Sequence, residues 1–153
     1  MAVYSAVIDA PPGRLAIQTS DSRLVGIDYV DQRTSLKKPL TPIAKEVVNQ
    51  LQQYFRNAEY SFDLPLQFDG TSHQQRVWQT LLNIKSGKTM TYGELATRIK
   101  SGARAVGNSC RRNPISIVIP CHRVVAANGI GGYGGHVDGN VLDRKRWLLK
   151  HEA

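Results

Sequence analysis

The sequence predicts an α+β protein in two parts, a small sheet-and-helix part followed by a mostly helical part. Two observations carry this prediction. Apolar residues alternate with polar ones between Tyr4 and Tyr29, a period of two that is typical of short strands. From Thr41 onward apolar residues recur every three or four positions, which is typical of amphipathic helices. We place an N-terminal α+β support domain at 1–68 and a second domain at 69–153.

The first domain should contain three short antiparallel strands and one helix. Turn-forming residues separate the strands at Pro11-Pro12-Gly13 and at Ser20-Asp21-Ser22. The apolar residues expected to face inward are Tyr4, Ala6, Ile8, Leu15, Ile17, Val25, Ile27 and Tyr29. Thr41 should cap the helix, with Pro42 at its first position, where no backbone N–H is needed. The helix residues that would pack on the strands are Ile43, Val47, Val48, Leu51, Tyr54 and Phe55.

The second domain follows an expected linker at Asn57–Gly70 and begins with helices. Capping-box patterns at Ser72–Gln75 and Thr91–Glu94 predict two helix starts, and Ser86-Gly87 should end the first helix. A third helix is expected from Ala103 to about Arg112. Two short helices joined by a tight glycine turn resemble a helix-turn-helix, with the later helix as the reader.

The rest of the chain contains a buried segment, a loop and a last helix. Ile115–Ile119 is expected to be a buried strand or extended run. Ala126–Asn140 is rich in glycine, which lets a ligand approach the backbone closely. Asp143 should cap a final basic helix that contains Trp147 and Leu148-Leu149.

Charge is distributed unevenly along the chain of 153 residues. The first 70 residues hold seven Lys and Arg against eight Asp and Glu, whereas the remainder holds thirteen against four. The second half therefore carries about +9, which favours contact with a polyanion such as nucleic acid. A solvated basic surface that serves solubility explains the charge equally well.

Composition limits the setting of the protein. Its apolar runs are too short to span a bilayer, and its N-terminus lacks the basic and apolar regions of a signal peptide. Cys110 and Cys121 are too few for a disulfide scaffold or a four-thiolate metal site, and their separation matches no ligand spacing. We expect a cytoplasmic protein without a metal.

Cys121 is the strongest candidate for chemistry. It follows an apolar segment and precedes His122 and Arg123, so nearby positive charge and an imidazole, directly or through a water, favour its thiolate. The alternative is a small buried residue, since unpaired cysteine is often buried. A Cys–His hydrolase is a further alternative, although no oxyanion-hole motif stands out. Cys110 is expected to fill a helix face.

The third helix has an unusually slim face. Ala103, Gly107 and Cys110 recur at helical spacing, and Arg104 lies beside them. Such a face lets the backbone enter a narrow groove while the arginine reaches into the base stack. Close packing of this helix against another helix is the alternative.

Several motifs in order resemble the O6-alkylguanine-DNA alkyltransferases, a family that repairs DNA by direct reversal. From Thr71 to Glu152 the chain contains TYGELA, ARAVGN, RRNPI, IPCHRVV, GGYGG and RKRWLLKHE. The first half is similar only in size and in its strand–helix layout. The resemblance implies a ribonuclease-H-like first domain and a winged helix-turn-helix-like second domain for DNA binding and alkyl transfer.

The resemblance also implies roles for individual residues. Cys121 would accept the alkyl group, His122 and Glu152 would form a water-linked relay, and Asn113 would hold the turn around them. Among the binding residues, Tyr92 would push on the phosphate and bond the guanine, and Arg104 would replace the flipped nucleotide. The remaining binding residues would be Ala103, Gly107, Tyr133, Gly134 and Arg123.

The implied activity is a single, irreversible transfer of an alkyl group from O6-alkylguanine in DNA to Cys121. The implied partner is double-stranded DNA, which the protein would bind through the minor groove. The protein is expected to be a monomer that uses no cofactor and does not associate with a membrane. The loop departs from the family pattern, because His136 and an extension to Leu142 follow Tyr133-Gly134-Gly135. A non-catalytic binder of alkylated DNA or a winged-helix regulator is the alternative.

Overall fold

The computed structural model describes residues 3–133 and 140–153. It divides into two compact units. The first contains the chain as far as Phe68 together with Pro114–Ser116, and the second contains Asp69–Asn113 and Ile117–Ala153. The predicted α+β class is confirmed, since a sheet and one helix form the first unit and helices dominate the second.

The sheet of the first unit is antiparallel, in the order β1-β2-β3, as the alternation predicts. Its strands are β1 (Ala6–Ile8), β2 (Leu15–Ser20) and β3 (Arg23–Tyr29). Gln18 pairs with Gly26 but the next residue, Thr19, pairs with Leu24, so Val25 is an extra residue in β3. This bulge reverses the alternation. Leu24 is therefore buried and Val25, expected to face inward, is only half-buried.

Helix α1 (Pro42–Arg56) covers the sheet, and its predicted start is confirmed. Thr41 Oγ1 accepts a hydrogen bond from Ala44 N at 3.3 Å, and Pro42 occupies the first turn. The buried apolar residues of α1 are Ala44, Val47, Val48, Leu51 and Tyr54. Ile43 and Phe55 are only half-buried.

The stretch expected to be a linker is instead partly fastened to the first unit. The Gln50 side chain accepts from Asp63 N at 2.9 Å and donates to Asp63 O at 3.0 Å. Leu24 N donates to Pro65 O at 2.8 Å, and Gln67 N donates to Leu24 O at 3.0 Å. These bonds cover part of the outer edge of β3, which would otherwise present unpaired backbone groups.

The segment Ile115–Ile119 is mostly buried but does not form the strand or extended run expected of it. Its first residues extend the edge of β3, where Ile27 N donates to Pro114 O at 3.1 Å and Ser116 N donates to Ile27 O at 3.2 Å. The chain then turns at Ile117, whose φ of 74° is rare for a branched residue. The turn interrupts the strand that the apolar run suggests.

Four helices form most of the second unit: α2 (Ser72–Leu81), α3 (Tyr92–Ile99), α4 (Ala103–Arg111) and α5 (Asn140–Glu152). The capping box at Thr91 and Glu94 is confirmed. The box of α2 uses Thr71 and Gln74, one residue earlier than predicted, because two adjacent registers carry the same pattern. Helix α2 also ends at Leu81, before Ser86-Gly87. Helix α5 starts early enough to put Asp143 in its first turn rather than at its cap.

Two very short strands, which the sequence analysis does not predict, link the elements of the candidate site. Strand β4 (Met90–Thr91) pairs in parallel with β5 (Val124–Val125). Because Thr91 caps α3, this pairing fixes the start of α3 beside the chain that follows Cys121. Helices α3 and α4 pack together after a turn at Lys100, which adopts the left-handed conformation that ends α3.

Candidate active site

Cys121 begins a short 3₁₀ turn, Cys121–Arg123, immediately before β5. The residue is 7% exposed, and burial raises the pKa of its thiol above the ordinary value of 9.0. A hydrogen bond from the Asn113 side chain and the charge of Lys145 act in the opposite direction. The resting thiol is therefore protonated at neutral pH, and a base must remove its proton before it attacks.

Asn113 joins the end of α4 to the segment that leads to Cys121. Its Nδ2 donates to Ile119 O at 2.7 Å, in addition to its hydrogen bond with the cysteine. Asn113 therefore links the end of α4 both to Ile119 and to Cys121.

His122 is fully buried, and its Nε2 lies 2.8 Å from Glu152 Oε2. Burial lowers the pKa of the imidazole below its ordinary 6.5, although the hydrogen bond to Glu152 opposes this. A neutral ring that donates from Nε2 to a carboxylate keeps its lone pair on Nδ1. Within 3–133 and 140–153, Nδ1 is buried and has no hydrogen-bond partner. The ring is therefore a base whose accepting atom is available.

Arg123 holds Glu152 from the other side. Its Nε and Nη2 donate to Glu152 Oε1 and Oε2 at 2.9 and 2.8 Å, and its Nη1 donates to Ile84 O. We expected Arg123 among the DNA-binding residues, but its guanidinium is committed inside the unit. A bidentate pair of this kind keeps the carboxylate ionised and fixes its orientation toward His122.

Lys145 is a site residue that the sequence analysis missed. It is fully buried on α5, and its Nζ donates to Val124 O at 2.6 Å and to Gly132 O at 2.9 Å. Burial lowers its pKa to about 8, while the two cysteine thiols, as thiolates, oppose that shift. The sequence alone assigns no role to Lys145 within the basic final helix. Its spacing gave a signal, since Lys145 lies three positions from both Leu142 and Leu148, which are buried.

Tyr92, the first residue of α3, points its ring toward the glycine loop. Its hydroxyl donates to Gly132 O at 3.4 Å, and Lys145 Nζ lies 5.9 Å from the ring centroid. A Cβ added to Gly131 would come within 2.8 Å of the Tyr92 ring, and φ at Gly131 is +74°. Glycine is required there by both the ring and the backbone. Tyr133 is buried at 5% exposure, and Gly134 lies outside the described residues.

The loop extension is largely beyond what the structure describes. His136 and its neighbours up to Gly139 lie outside the described residues. Leu142, the end of the expected extension, is a buried residue of α5. Within the described residues, the part of the expected extension from Asn140 to Leu142 belongs to α5.

On α4 the expected DNA-binding residues lie at the surface. Ala103 and Arg104 are exposed, and Gly107 is half-buried, with no described residue outside its own helix backbone within 4 Å of an added Cβ. Helix packing at Gly107, the alternative explanation for its small size, is therefore not seen. Cys110 is buried on the packed side, as expected for a helix-face residue, so the slim face does not extend to it.

Arg104 forms no hydrogen bond or ion pair with residues 3–133 or 140–153. The same ranges contain no group of three or more His, Cys, Asp or Glu side chains arranged to hold a metal ion. Nor do they contain a helix both long and apolar enough to cross a membrane.

Comparison with known proteins identifies the family. The model of the 6-O-methylguanine DNA methyltransferase ribonuclease-like domain matches residues 3–68, and that of the DNA binding domain of the same family matches residues 72–153. The chain belongs to the 6-O-methylguanine DNA methyltransferase family. The expected family, its enzyme class and the two-part fold are thereby confirmed.

Individual relatives match over almost the whole chain. The methylated-DNA–protein-cysteine methyltransferase of Mycobacterium leprae is 40% identical, covering 98% of this chain and 92% of the relative. Its namesake from Methanosarcina acetivorans is 36% identical, covering 99% of both chains. The crystal structure of the Mycobacterium tuberculosis O6-methylguanine methyltransferase is 38% identical with a TM-score of 0.81, over 95% of this chain and 90% of that one. A Mycobacterium tuberculosis structure in complex with DNA is 40% identical with a TM-score of 0.79, over the same shares of the two chains.

Proposed function

We propose that this methyltransferase repairs O6-alkylguanine in double-stranded DNA by one stoichiometric, irreversible transfer of the alkyl group to Cys121. The observation that carries the proposal is the chain of contacts around the thiol: a buried, protonated cysteine followed by a neutral histidine with an available Nδ1 and an anchored Nε2. The DNA partner is supported by the match to the DNA-binding domain model and by a relative crystallised with DNA.

The reaction begins with removal of the thiol proton. A water molecule between Cys121 and His122 relays the proton to Nδ1, and Glu152 stabilises the resulting imidazolium through Nε2. The Glu152 carboxylate can do this because Arg123 keeps it ionised. The nearby ammonium of Lys145 lowers the energy of the thiolate, as its effect on the pKa of Cys121 shows.

The thiolate then attacks the alkyl carbon on the side opposite to guanine O6. A C–S bond forms, the C–O bond breaks, and its electron pair leaves with the guanine, which takes up a proton. The target base must be outside the helix stack for this geometry, since O6 lies within the duplex. In this proposal the Tyr92 hydroxyl, which donates to Gly132 O in the structure, donates instead to the extruded base. A thioether has no ready hydrolysis route at neutral pH, so each molecule reacts once.

Surface residues of α4 supply the groove contact in this proposal. Ala103 and Gly107 present little bulk, which allows the backbone to approach the minor groove, and the exposed Arg104 extends into the stack in place of the extruded nucleotide.

The test is the intact mass of the protein after incubation with duplex DNA containing O6-methylguanine, with peptide mapping. We expect one methyl group on the peptide that contains Cys121 and no further increase with excess DNA. The C121S variant should bind the duplex and show no adduct. Binding of the damaged duplex by wild-type protein without a mass change would instead support the non-catalytic binder. An adduct on C121S would remove Cys121 as the acceptor.

A further inference from the structure

One histidine outside the transfer site makes two hydrogen bonds to the helix-turn-helix. His73, on the first turn of α2, has Nδ1 2.9 Å from Ser109 Oγ on α4 and Nε2 2.7 Å from Ser101 Oγ. Ser101 lies in the turn between α3 and α4, so one imidazole bridges that turn and the reading helix. Both ring nitrogens are used, and the side chain is half-buried.

Two neighbours of His73 on α2 reinforce the same link. Arg76 Nη1 donates to Ile99 O at 2.9 Å, at the end of α3. Trp78 Nε1 donates to Ser109 O at 2.9 Å, in the last turn of α4. Carbonyls in the last turn of a helix lack the backbone donor four residues ahead, so Arg76 supplies a donor at the end of α3. Trp78 adds a second donor at Ser109 O, which also accepts from Arg112 N at 3.2 Å.

These contacts fix how α4 is held, and α4 carries the surface expected to meet DNA. Arg76 and Trp78 attach α2 to one helix each, whereas His73 attaches it to the turn and to α4 simultaneously. A change in the turn alters the direction of α4 and so moves Arg104, which lies three positions after Ser101. Ser109 is on the buried side of α4, so His73 acts from behind the DNA-facing side.

We propose that His73 is a positioning residue for DNA binding: by bridging Ser101 and Ser109 it sets the orientation of α4 that the duplex requires. This inference rests on the proposed function, in that α4 is taken as the surface that enters the groove. It assigns His73 no contact with DNA and no part in alkyl transfer.

The main test is H73F, which keeps a ring of similar size and removes both hydrogen bonds. We expect a roughly tenfold weaker Kd for an O6-methylguanine duplex, because α4 loses both hydrogen bonds by which His73 holds its orientation. The rate of alkyl transfer from a free O6-alkylguanine base should stay within about twofold of wild type, because that substrate does not need the groove. T80A is the matched control, since the Thr80 hydroxyl on the same helix donates to Arg76 O and, among the described residues, forms no bond with α3 or α4.

Two conservative variants separate the bridge from general packing. Asn at position 73 reaches about as far as Nδ1 and should retain the bond to Ser109, whereas Gln reaches about as far as Nε2 and should retain the bond to Ser101. H73N and H73Q should each recover part of the affinity lost in H73F. S101A should weaken binding in wild type and have no further effect in H73F.

The outcomes separate the inference from the function on which it rests. If H73F binds the duplex as tightly as the wild-type protein and still transfers the alkyl group, the role of His73 is refuted and the proposed function stands. Equal loss of duplex affinity and of free-base reactivity would also overturn it, since that result indicates general misfolding. Absence of alkyl transfer by the wild-type protein would refute the proposed function. The duplex Kd of H73F compared with that of wild type would still test whether His73 positions α4 for binding.

Discussion

The reactivity of this site depends on what surrounds one cysteine. Burial makes the thiol of Cys121 a weak acid, so it does not ionise spontaneously at neutral pH. The neighbouring His122 is also kept neutral by burial, which makes it a base rather than a fixed cation. Proton removal can then be coupled to the arrival of substrate. A thiol that stays protonated between encounters is protected from oxidation and from stray electrophiles.

Replacing the anchoring carboxylate should impair both stability and chemistry. In E152Q the buried guanidinium of Arg123 loses its counter-charge, which should lower the free energy of unfolding by about 3 kcal/mol. His122 also loses the carboxylate charge that stabilises its imidazolium form, so alkyl transfer should slow by about 100-fold. Urea unfolding and single-turnover transfer measure the two effects.

D143N is the matched control for E152Q on the same helix. Asp143 pairs with Arg146 at 2.9 Å, but both side chains are more than half exposed. Such a pair contributes about 0–1 kcal/mol, so D143N should change little. Equal destabilisation by the two variants would contradict the importance assigned to the buried network.

Lys145 should make stability depend on pH in a defined direction. Its pKa is about 8 in the folded protein, against an ordinary lysine value of 10.5 in the unfolded chain, so between these values the unfolded chain binds more protons than the folded one. Stability from this group therefore rises with pH, by about 1 kcal/mol between pH 8 and pH 9. Denaturant unfolding of wild type relative to K145M should show this rise. If the difference in free energy of unfolding between wild type and K145M does not change between pH 8 and pH 9, the pKa of about 8 for folded Lys145 is contradicted.

At the scale of elements, residues close in sequence determine where a helix begins, whereas residues distant in sequence determine how the helix is positioned. Helix α3 begins with a reciprocal capping box at Thr91 and Glu94. Parallel pairing of β4 with β5 holds this start beside the 3₁₀ turn Cys121–Arg123, which immediately precedes β5. The N-cap of helix α4 is Gly102, which has no side chain to cap the helix. It is held by its packing against α2 and α3, so its position depends on its neighbours.

A single methyl group on α4 tests whether its slim surface meets DNA. Gly107 lies inside the helix with open space around it, so G107A should raise the free energy of unfolding by about 1 kcal/mol. If the backbone enters the minor groove, the same methyl group should weaken duplex binding. Thermal unfolding and a binding titration give the two values, with the free-base transfer rate as control. Stabilisation without loss of affinity would place the DNA contact elsewhere.

At the scale of the whole molecule, charge is divided between structural and surface roles. Arg123 and Lys145 are enclosed in the active site, where each holds a particular partner. Many other basic residues of the second unit are exposed: Arg76, Lys85, Lys88, Arg98, Lys100, Arg104, Arg111, Arg112, Arg146 and Lys150. Basic side chains that could contact a polyanion are therefore exposed on the second unit, as the polyanion-binding explanation of its net charge requires.

Salt dependence should show which exposed cations contact phosphate. The logarithm of the duplex binding constant should fall linearly with the logarithm of salt concentration, and R111A should reduce the slope by about one. R33A is the control, since Arg33 is exposed in the first unit and pairs only with Asp31 among the described residues. An equal change of slope in both variants would point to a nonspecific effect of net charge.

The sequence by itself determined the three strands of the first unit, the presence of the helices, several helix starts and the candidate nucleophile. These features depend on residues within about four positions of each other: Thr41 with Ala44, Thr91 with Glu94, Cys121 with His122. The bulge at Val25 escaped prediction because a strand's alternation shows no extra residue until its partner is known.

Only the tertiary structure decided which charges are buried and what they hold. Glu152 lies 30 positions from His122 in the chain, and nothing in its neighbourhood distinguishes it from a surface carboxylate in a basic helix. Lys145 and His73 likewise acquire their roles from carbonyls and hydroxyls on other elements. The physical reason is that a buried polar group is stable only when it finds partners, and those partners are brought together by the packing of the helices.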